Sequence, residues 1–483
     1  MFPRGAMCHR PLLCVLLTLL PLLAQASGFT RLAEMADKGF LIGAEARLLS
    51  SGETLGAIEP ERQLSPASVS KIYLAAAALE RWGPQHRFTT RLVSLAEPDV
   101  DGTLKGDLVL DGGGDPMLTS EDLWRLTQRL HQAGVRRIEG RLVVSQWRYG
   151  PVECITTDRC QARSRVANAY SALLSSAGVN HGSWCVSVAP AAVAGKPARI
   201  TSCDSQTPIV DIDNSVETKP DDSGTRLNAE RVLRDSGDVM VVSGQISTNA
   251  RPRSIYRASS DPARQSAATL QAMLEQAGIG VRDGASVVAT QPPAEARTLA
   301  YVESEPLQEL LLRTLNHSNN FMADQLALNL VELPHAGLEQ AGGALEAFVA
   351  GLPDHGPVTL RSGSGLTPEN RTSAAGITSL LESMYRRPAL FPSFVAALQS
   401  PSNGVMRFLR RGSATFQRHV MLKTGTLNQP VAVRSVGGYF RTRSGQWGVF
   451  AALVNGTSNT PWLNWQQVLD PLAADLEEMI DAH

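Results

Sequence analysis

The chain reads Pro66-Ala67-Ser68-Val69-Ser70-Lys71, followed at once by Ile72-Tyr73-Leu74-Ala75-Ala76-Ala77-Ala78-Leu79. The alanine- and leucine-rich run predicts a mostly buried helix. Ser65 suits its N-cap, Pro66 its first turn and Gly83 its end. Ser68 then falls in the first turn, where the helix dipole favours developing negative charge. Lys71, three residues on, shares its face. A serine hydroxyl is a weak nucleophile at neutral pH and needs a base within hydrogen-bond reach. Ser68 is therefore a candidate nucleophile and Lys71 its base. The same spacing alone also describes an ordinary solvated helix face.

Two companions follow in chain order. Ser318-Asn319-Asn320 fits Ser-x-Asn, and Lys423-Thr424-Gly425 fits Lys-Thr-Gly. Each alone reads equally well as a turn or a strand end. The ordered set is the signature of penicillin-binding proteins and serine β-lactamases. Chemistry supports a joint role. Lys71 must be neutral to accept a proton, and burial or a nearby cation depresses a lysine pKa; Lys423 is the candidate cation. Ser318 and Asn320 supply a hydroxyl to relay a proton and an amide to hold a substrate amide. Gly425 leaves room for substrate backbone. The N–H groups of Ser68 and Thr426 are the natural oxyanion donors. The hydroxyls of Thr424 and Thr426, with Lys423, suit a carboxylate.

Further stretches strengthen this. They are Leu108-Val109-Leu110-Asp111-Gly112-Gly113-Gly114-Asp115-Pro116 with Leu118-Thr119-Ser120-Glu121-Asp122-Leu123, then Ser362-Gly363-Ser364-Gly365-Leu366 with Asn370-Arg371, and Gly437-Gly438-Tyr439-Phe440. With the motifs, they make the chain resemble the class C low-molecular-mass penicillin-binding proteins, the D-alanyl-D-alanine carboxypeptidase/endopeptidase group. The resemblance implies an α/β (α+β) sandwich of the serine transpeptidase/β-lactamase type with a large strand-rich insertion. It implies no cofactor, peptidoglycan peptides as substrate, and β-lactams as covalent inhibitors of Ser68. Three departures stand out: Asn319 and Ser362 replace residues that are often Asp, and Ser145 stands where relatives often carry an acid that reads the substrate's diamino acid.

Composition bounds the rest. A chain of 483 residues suggests about three domains. A formal charge of −1 gives no basic field for nucleic acid. Arg4 and Arg10, the apolar stretch 11–23 and Ala24-Gln25-Ala26 read as an export signal over 1–26. No later stretch is long and apolar enough to span a membrane. Four cysteines follow the leader: Cys154, Cys160, Cys185 and Cys203. An even count in an exported chain suggests two disulfides, with three possible pairings. Proximity in sequence favours Cys154–Cys160 and Cys185–Cys203. Their spacing lacks a C-x-x-C knuckle, so no metal site is expected. Leader and cysteines point to the periplasm.

Residues 40–49 and 54–58 form one expected hairpin, 431–440 and 447–455 another, and 462–480 a closing helix whose cap is not evident. The separation of Lys71 from Ser318 exceeds what one helical lobe needs. Strand-like runs at 103–110, 136–144, 185–188, 239–246 and 284–289 fill it. The expected division is a catalytic domain of 27–87 and 299–483, an inserted domain of 88–149 and 230–298, and a nested cysteine-bearing subdomain of 150–229. Gly112-Gly113-Gly114 lacks a following Gly-Lys-Ser/Thr and reads as a structural turn.

Two rival functions share parts of this pattern. A class A β-lactamase uses a deacylating glutamate, in a pattern resembling Glu-x-x-x-Asn. None of Glu332, Glu339, Glu346, Glu369 and Glu382 has Asn four residues on. A non-catalytic wall-binding protein on the same fold is suggested by Ser145 and Ser362, but the intact reactive residues oppose it.

Overall fold

The computed structural model describes residues 28–163, 168–205 and 209–483. The expected export signal lies outside them. The central sheet is antiparallel, with strands in the order Val420–Leu427, Val433–Arg441, Trp447–Asn455, Leu41–Leu48 and Thr54–Ile58. Both chain ends thus meet in one sheet. Its strands alternate between two buried faces, as a period of two demands. Val449, Ala451 and Leu453 pack with the helix Ser70–Trp82 and its neighbours. Phe450, Ala452 and Val454 pack with the closing helix Trp465–Ala482. Each fully buried Val, Leu or Phe side chain among them contributes about 1.5–3 kcal/mol.

Boundaries differ from expectation where local chemistry decides. Ser65 does not cap the nucleophile's helix: its hydroxyl is buried without a partner, and its backbone exchanges hydrogen bonds with the Asn455 amide. Residues Ala67–Val69 form a single 3₁₀ turn before the α-helix Ser70–Trp82, so Ser68 sits in the tighter prelude. Gly83, at φ 74°, does end the helix. Asn464, not Trp462, opens the closing helix, in a reciprocal cap with Gln467.

The long middle of the chain builds its own sheets. The largest runs Ala285–Val288, Leu142–Ser145, Leu108–Asp111, Thr89–Ser94 and Arg297–Glu303, covered by the helices Ser120–Gln132 and Pro262–Gln276. The expected strands at 103–110 and 136–144 are each broken in two. At Gly140 a side chain would lie 2.5 Å from the Gly106 backbone, so the two breaks are packed against each other. Two three-stranded sheets, built from segments between Ser183 and Ala258, enclose a smaller core around Val186, Met240 and Val242. Disulfides join Cys154 to Cys160 and Cys185 to Cys203. Among the described residues no helix is long and apolar enough to cross a membrane.

Candidate active site

The three distant motifs converge. Lys71 Nζ donates to Ser68 Oγ at 2.9 Å, to Asn320 Oδ1 at 2.8 Å and to the Ser364 carbonyl at 2.6 Å. Lys423 Nζ donates to Ser318 Oγ at 2.9 Å and to the Thr424 carbonyl at 2.6 Å. Each lysine is therefore held by one member of the middle motif. Both lysines are fully buried, whereas Ser68, Ser318 and Asn320 stay partly open.

Burial, which penalises an ammonium ion, pushes Lys71 well below the ordinary lysine range. The Lys423 charge and the Arg159 guanidinium lower it further, and the Asp324 carboxylate opposes them. Burial alone brings Lys423 down to about 7. Lys71 is accordingly suited to receive a proton near neutral pH.

Gly425 explains how the strand reaches the nucleophile. A Cβ there would meet the Pro66 carbonyl at 2.3 Å and the Ser68 amide nitrogen at 2.9 Å. Only a residue without a side chain lets the strand Val420–Leu427 lie against the Ser68 turn. Leu422 exchanges backbone hydrogen bonds with Gln399 on the sheet's outer side. By alternation, Thr424 and Thr426 turn their backbone groups the same way. The exposed Thr426 hydroxyl accepts from Trp465 Nε1 at 3.2 Å. Thr424 is buried, with Met406 Sδ at 3.9 Å from its hydroxyl.

Two non-glycine residues of the site occupy the left-handed region, Ala67 at φ 45° and Ser318 at φ 52°. Such strain persists only where the surroundings impose it. Gly365 lies hard against Ala67: at φ 71°, a Cβ there would lie 1.9 Å from the Ala67 carbonyl.

Sequence reasoning missed the support behind Lys71. Asp324 is wholly buried, accepting from the Ser364 N–H at 2.7 Å and from Arg159 Nη1 at 2.7 Å. It thereby orients the Ser364 carbonyl that holds Lys71. A signal was present: Asp324 interrupts the apolar run Phe321 to Leu328 one turn after Asn320. Of the altered positions, Ser362 Oγ accepts from the Gly365 N–H at 3.2 Å, and Asn319 caps the helix Asn320–Asn329. Ser145 is buried and donates to the Thr290 carbonyl at 2.7 Å, so it presents nothing charged.

A model of the D-Ala-D-Ala carboxypeptidase 3 (S13) family matches residues 30–476. The chain belongs to this family. It is 30% identical to the D-alanyl-D-alanine carboxypeptidase of Actinomadura sp. (strain R39) over 487 aligned residues, covering 95% of this chain and 87% of that one. It superposes on penicillin-binding protein 4 of Haemophilus influenzae with a TM-score of 0.73 at 22% identity, covering 92% of this chain and 97% of the other. That protein has also been solved with a β-lactam bound. A predatory peptidoglycan endopeptidase of Bdellovibrio bacteriovorus aligns with a TM-score of 0.51 at 17% identity, over 91% and 92% of the two chains. The fold of penicillin-binding protein 4, an α/β body with added strand-rich regions, is thus the fold of this chain.

Proposed function

We propose that the protein is an exported serine DD-peptidase that cuts peptidoglycan peptides. The carrying observation is Ser68 Oγ, 2.9 Å from a buried lysine whose proton affinity is depressed, facing a second buried lysine on an open strand. Ser68 Oγ attacks the carbonyl carbon between two D-alanines, or at a D-centred cross-link, and its proton passes to Lys71 Nζ. The oxyanion is met by the N–H groups of Ser68 and Thr426. Lys423, Thr424 and Thr426 hold the substrate's terminal carboxylate. Asn320 holds the substrate amide. As the C–N bond breaks, the leaving amine takes a proton through the Ser318 hydroxyl. Water then attacks the Ser68 ester, releases the shortened peptide and restores the hydroxyl. β-Lactams, whose strained amide mimics the scissile bond, acylate Ser68 in the same way.

The domain division set out from the sequence, with the catalytic body formed by 27–87 and 299–483, is the organisation we assign. Periplasmic location follows from the leader and the paired cysteines. The variant S68A should lose all labelling by a fluorescent penicillin, and all release of D-alanine from a D-Ala-D-Ala pentapeptide, while its circular dichroism is unchanged. Full labelling of S68A would overturn the assignment, and rapid nitrocefin turnover by the wild type would move it to a β-lactamase.

A further inference from the structure

A cavity of about 570 Å³ opens at the far end of the nucleophile's helix. The helix Ser70–Trp82 carries Lys71 at its start, and Trp82 at its end lines this cavity. At an α-helical rise of about 1.5 Å per residue the two ends are about 18 Å apart, so the cavity stands outside the catalytic cleft.

Part of its lining is aromatic. Trp82 stacks on His86 with ring centres 5.2 Å apart, and both meet Phe88 edge-on, at 5.5 and 4.9 Å. Burial pushes His86 below its ordinary pKa, so this part is uncharged at neutral pH. Gly113 also lines the cavity. A side chain there would collide with the Thr89 carbonyl, so the glycine turn packs directly on the strand Thr89–Ser94.

The rest of the lining is basic. It carries Arg87, Arg91 and Arg148, with Glu332 the one carboxylate among the described residues that line it. Arg81 occupies Glu332 through two hydrogen bonds, at 3.1 and 2.6 Å. Asp111 occupies Arg91 at 2.6 Å. Two guanidiniums remain uncompensated. Arg87 Nη1 donates to the Ser304 carbonyl at 2.6 Å, which fixes the group without cancelling its charge. Arg148 lies over the Trp147 ring, 4.8 Å from its centre, and its Nε is buried without a partner. A buried N–H left unpaired is costly, and an anionic acceptor relieves that cost. Inorganic phosphate would satisfy the guanidiniums but would leave the rings with nothing apolar to cover. A peptide ending in D-alanine offers both a carboxylate for the guanidinium forks and methyl-bearing surface for the rings.

We propose that this cavity is an exosite, in which Arg87 and Arg148 hold the terminal carboxylate of a second stem peptide of the wall polymer while another stem peptide occupies the catalytic cleft. The assignment rests on the DD-peptidase reading above and gives that enzyme a polymeric rather than a short substrate. The carboxylate of the peptide being cut is held on the Thr424–Thr426 strand in that reading, so the one bound here belongs to a different stem.

The test uses Nα,Nε-diacetyl-L-Lys-D-Ala, whose one charge is its carboxylate, together with its C-terminal amide and inorganic phosphate. With the cleft closed by prior acylation with penicillin, calorimetry should find one site for the acid, with the amide and phosphate each bound about tenfold more weakly. R87Q/R148Q, which keeps neutral donors at both positions, should lose about tenfold in affinity for the acid and be acylated by penicillin at the wild-type rate. On insoluble peptidoglycan its half-saturating substrate level should rise about tenfold, while kcat/KM on Nα,Nε-diacetyl-L-Lys-D-Ala-D-Ala stays within about twofold of wild type. Equal binding of acid and amide, affinity unaltered in R87Q/R148Q, or phosphate bound as tightly as the acid overturns the exosite and leaves the peptidase assignment intact. Failure of penicillin to acylate the wild type would instead strike the underlying reading, and the affinity difference between wild type and R87Q/R148Q would still decide the exosite. Should the double variant not fold, R87Q, altered at an exposed residue, decides in its place: about threefold weaker binding of the acid supports the exosite, and unchanged binding overturns it.

Discussion

The two walls of the cleft each bury a lysine, and they treat it differently. On the helix wall, Lys71 is surrounded by Ser68, Asn320 and the Ser364 carbonyl, with Asp324 and Arg159 behind. Its proton affinity is set mainly by burial and then by competing charges. On the strand wall, Lys423 meets only a hydroxyl and a carbonyl, and dehydration alone sets its affinity. In the proposed reaction the first arrangement supplies a base whose strength neighbours tune. The second makes a cation poised near neutrality. Both lysines are depressed chiefly by burial, and the charges of Asp324, Arg159 and Lys423 act on Lys71 besides.

Breaking the ion pair is the harshest way to test this contrast. D324N leaves the Arg159 guanidinium buried without its carboxylate, and should lower unfolding stability by about 3–5 kcal/mol, measured by chemical denaturation. Replacing both partners, in D324N/R159M, should recover more than half of that loss. Because Asp324 raises the Lys71 pKa, its removal should also move the acid limb of the kcat/KM profile to lower pH. An unmoved limb would show that Asp324 does not tune Lys71.

Fixing the charge on the strand wall is the next test. As pH rises through about 7, Lys423 loses its proton and its pull on the substrate carboxylate, so kcat/KM should fall on the alkaline side. The guanidinium of K423R stays charged throughout this range. Its alkaline limb should therefore move up by more than about one pH unit, with the maximum lowered about tenfold by the altered contact to Ser318. A limb at the same pH in K423R would assign it to another group. The mildest change is W465F, which keeps the ring stacked on Phe408 but removes the N–H given to Thr426. KM for carboxylate-bearing peptides should rise about two- to fivefold at constant kcat. A fall in kcat without a change in KM would place Thr426 elsewhere in the reaction.

The sequence was most readable where local pattern and burial agree. Both expected hairpins of the central sheet form, and the alanine run forms its helix. The three motifs pointed to Ser68, Lys71, Ser318, Asn320 and Lys423 because each is marked by a side chain at fixed spacing, and the fold brings these side chains together. The Ser364 carbonyl meets Lys71 through the backbone, which leaves no residue-type signature. The strand Asp211–Lys219 escaped notice for another reason. Most of its side chains face solvent, and it exists through parallel pairing with Gly237–Ser247 rather than through an apolar pattern of its own. Nothing in the local sequence marks Arg159 as buried; its partners, the Asp324 carboxylate and the Ala172 carbonyl, lie elsewhere in the chain.

The strand Val420–Leu427 is the last in its sheet, and such a border invites unwanted self-association. Here Gln399 blocks that border at Leu422, leaving only the portion beside Ser68 free to pair. An extended peptide entering the cleft can therefore join as a short sixth strand, while a second copy of the protein finds too little open rim to continue the sheet. The same truncation that would leave room for a peptide in the proposed reaction also limits self-association along this edge.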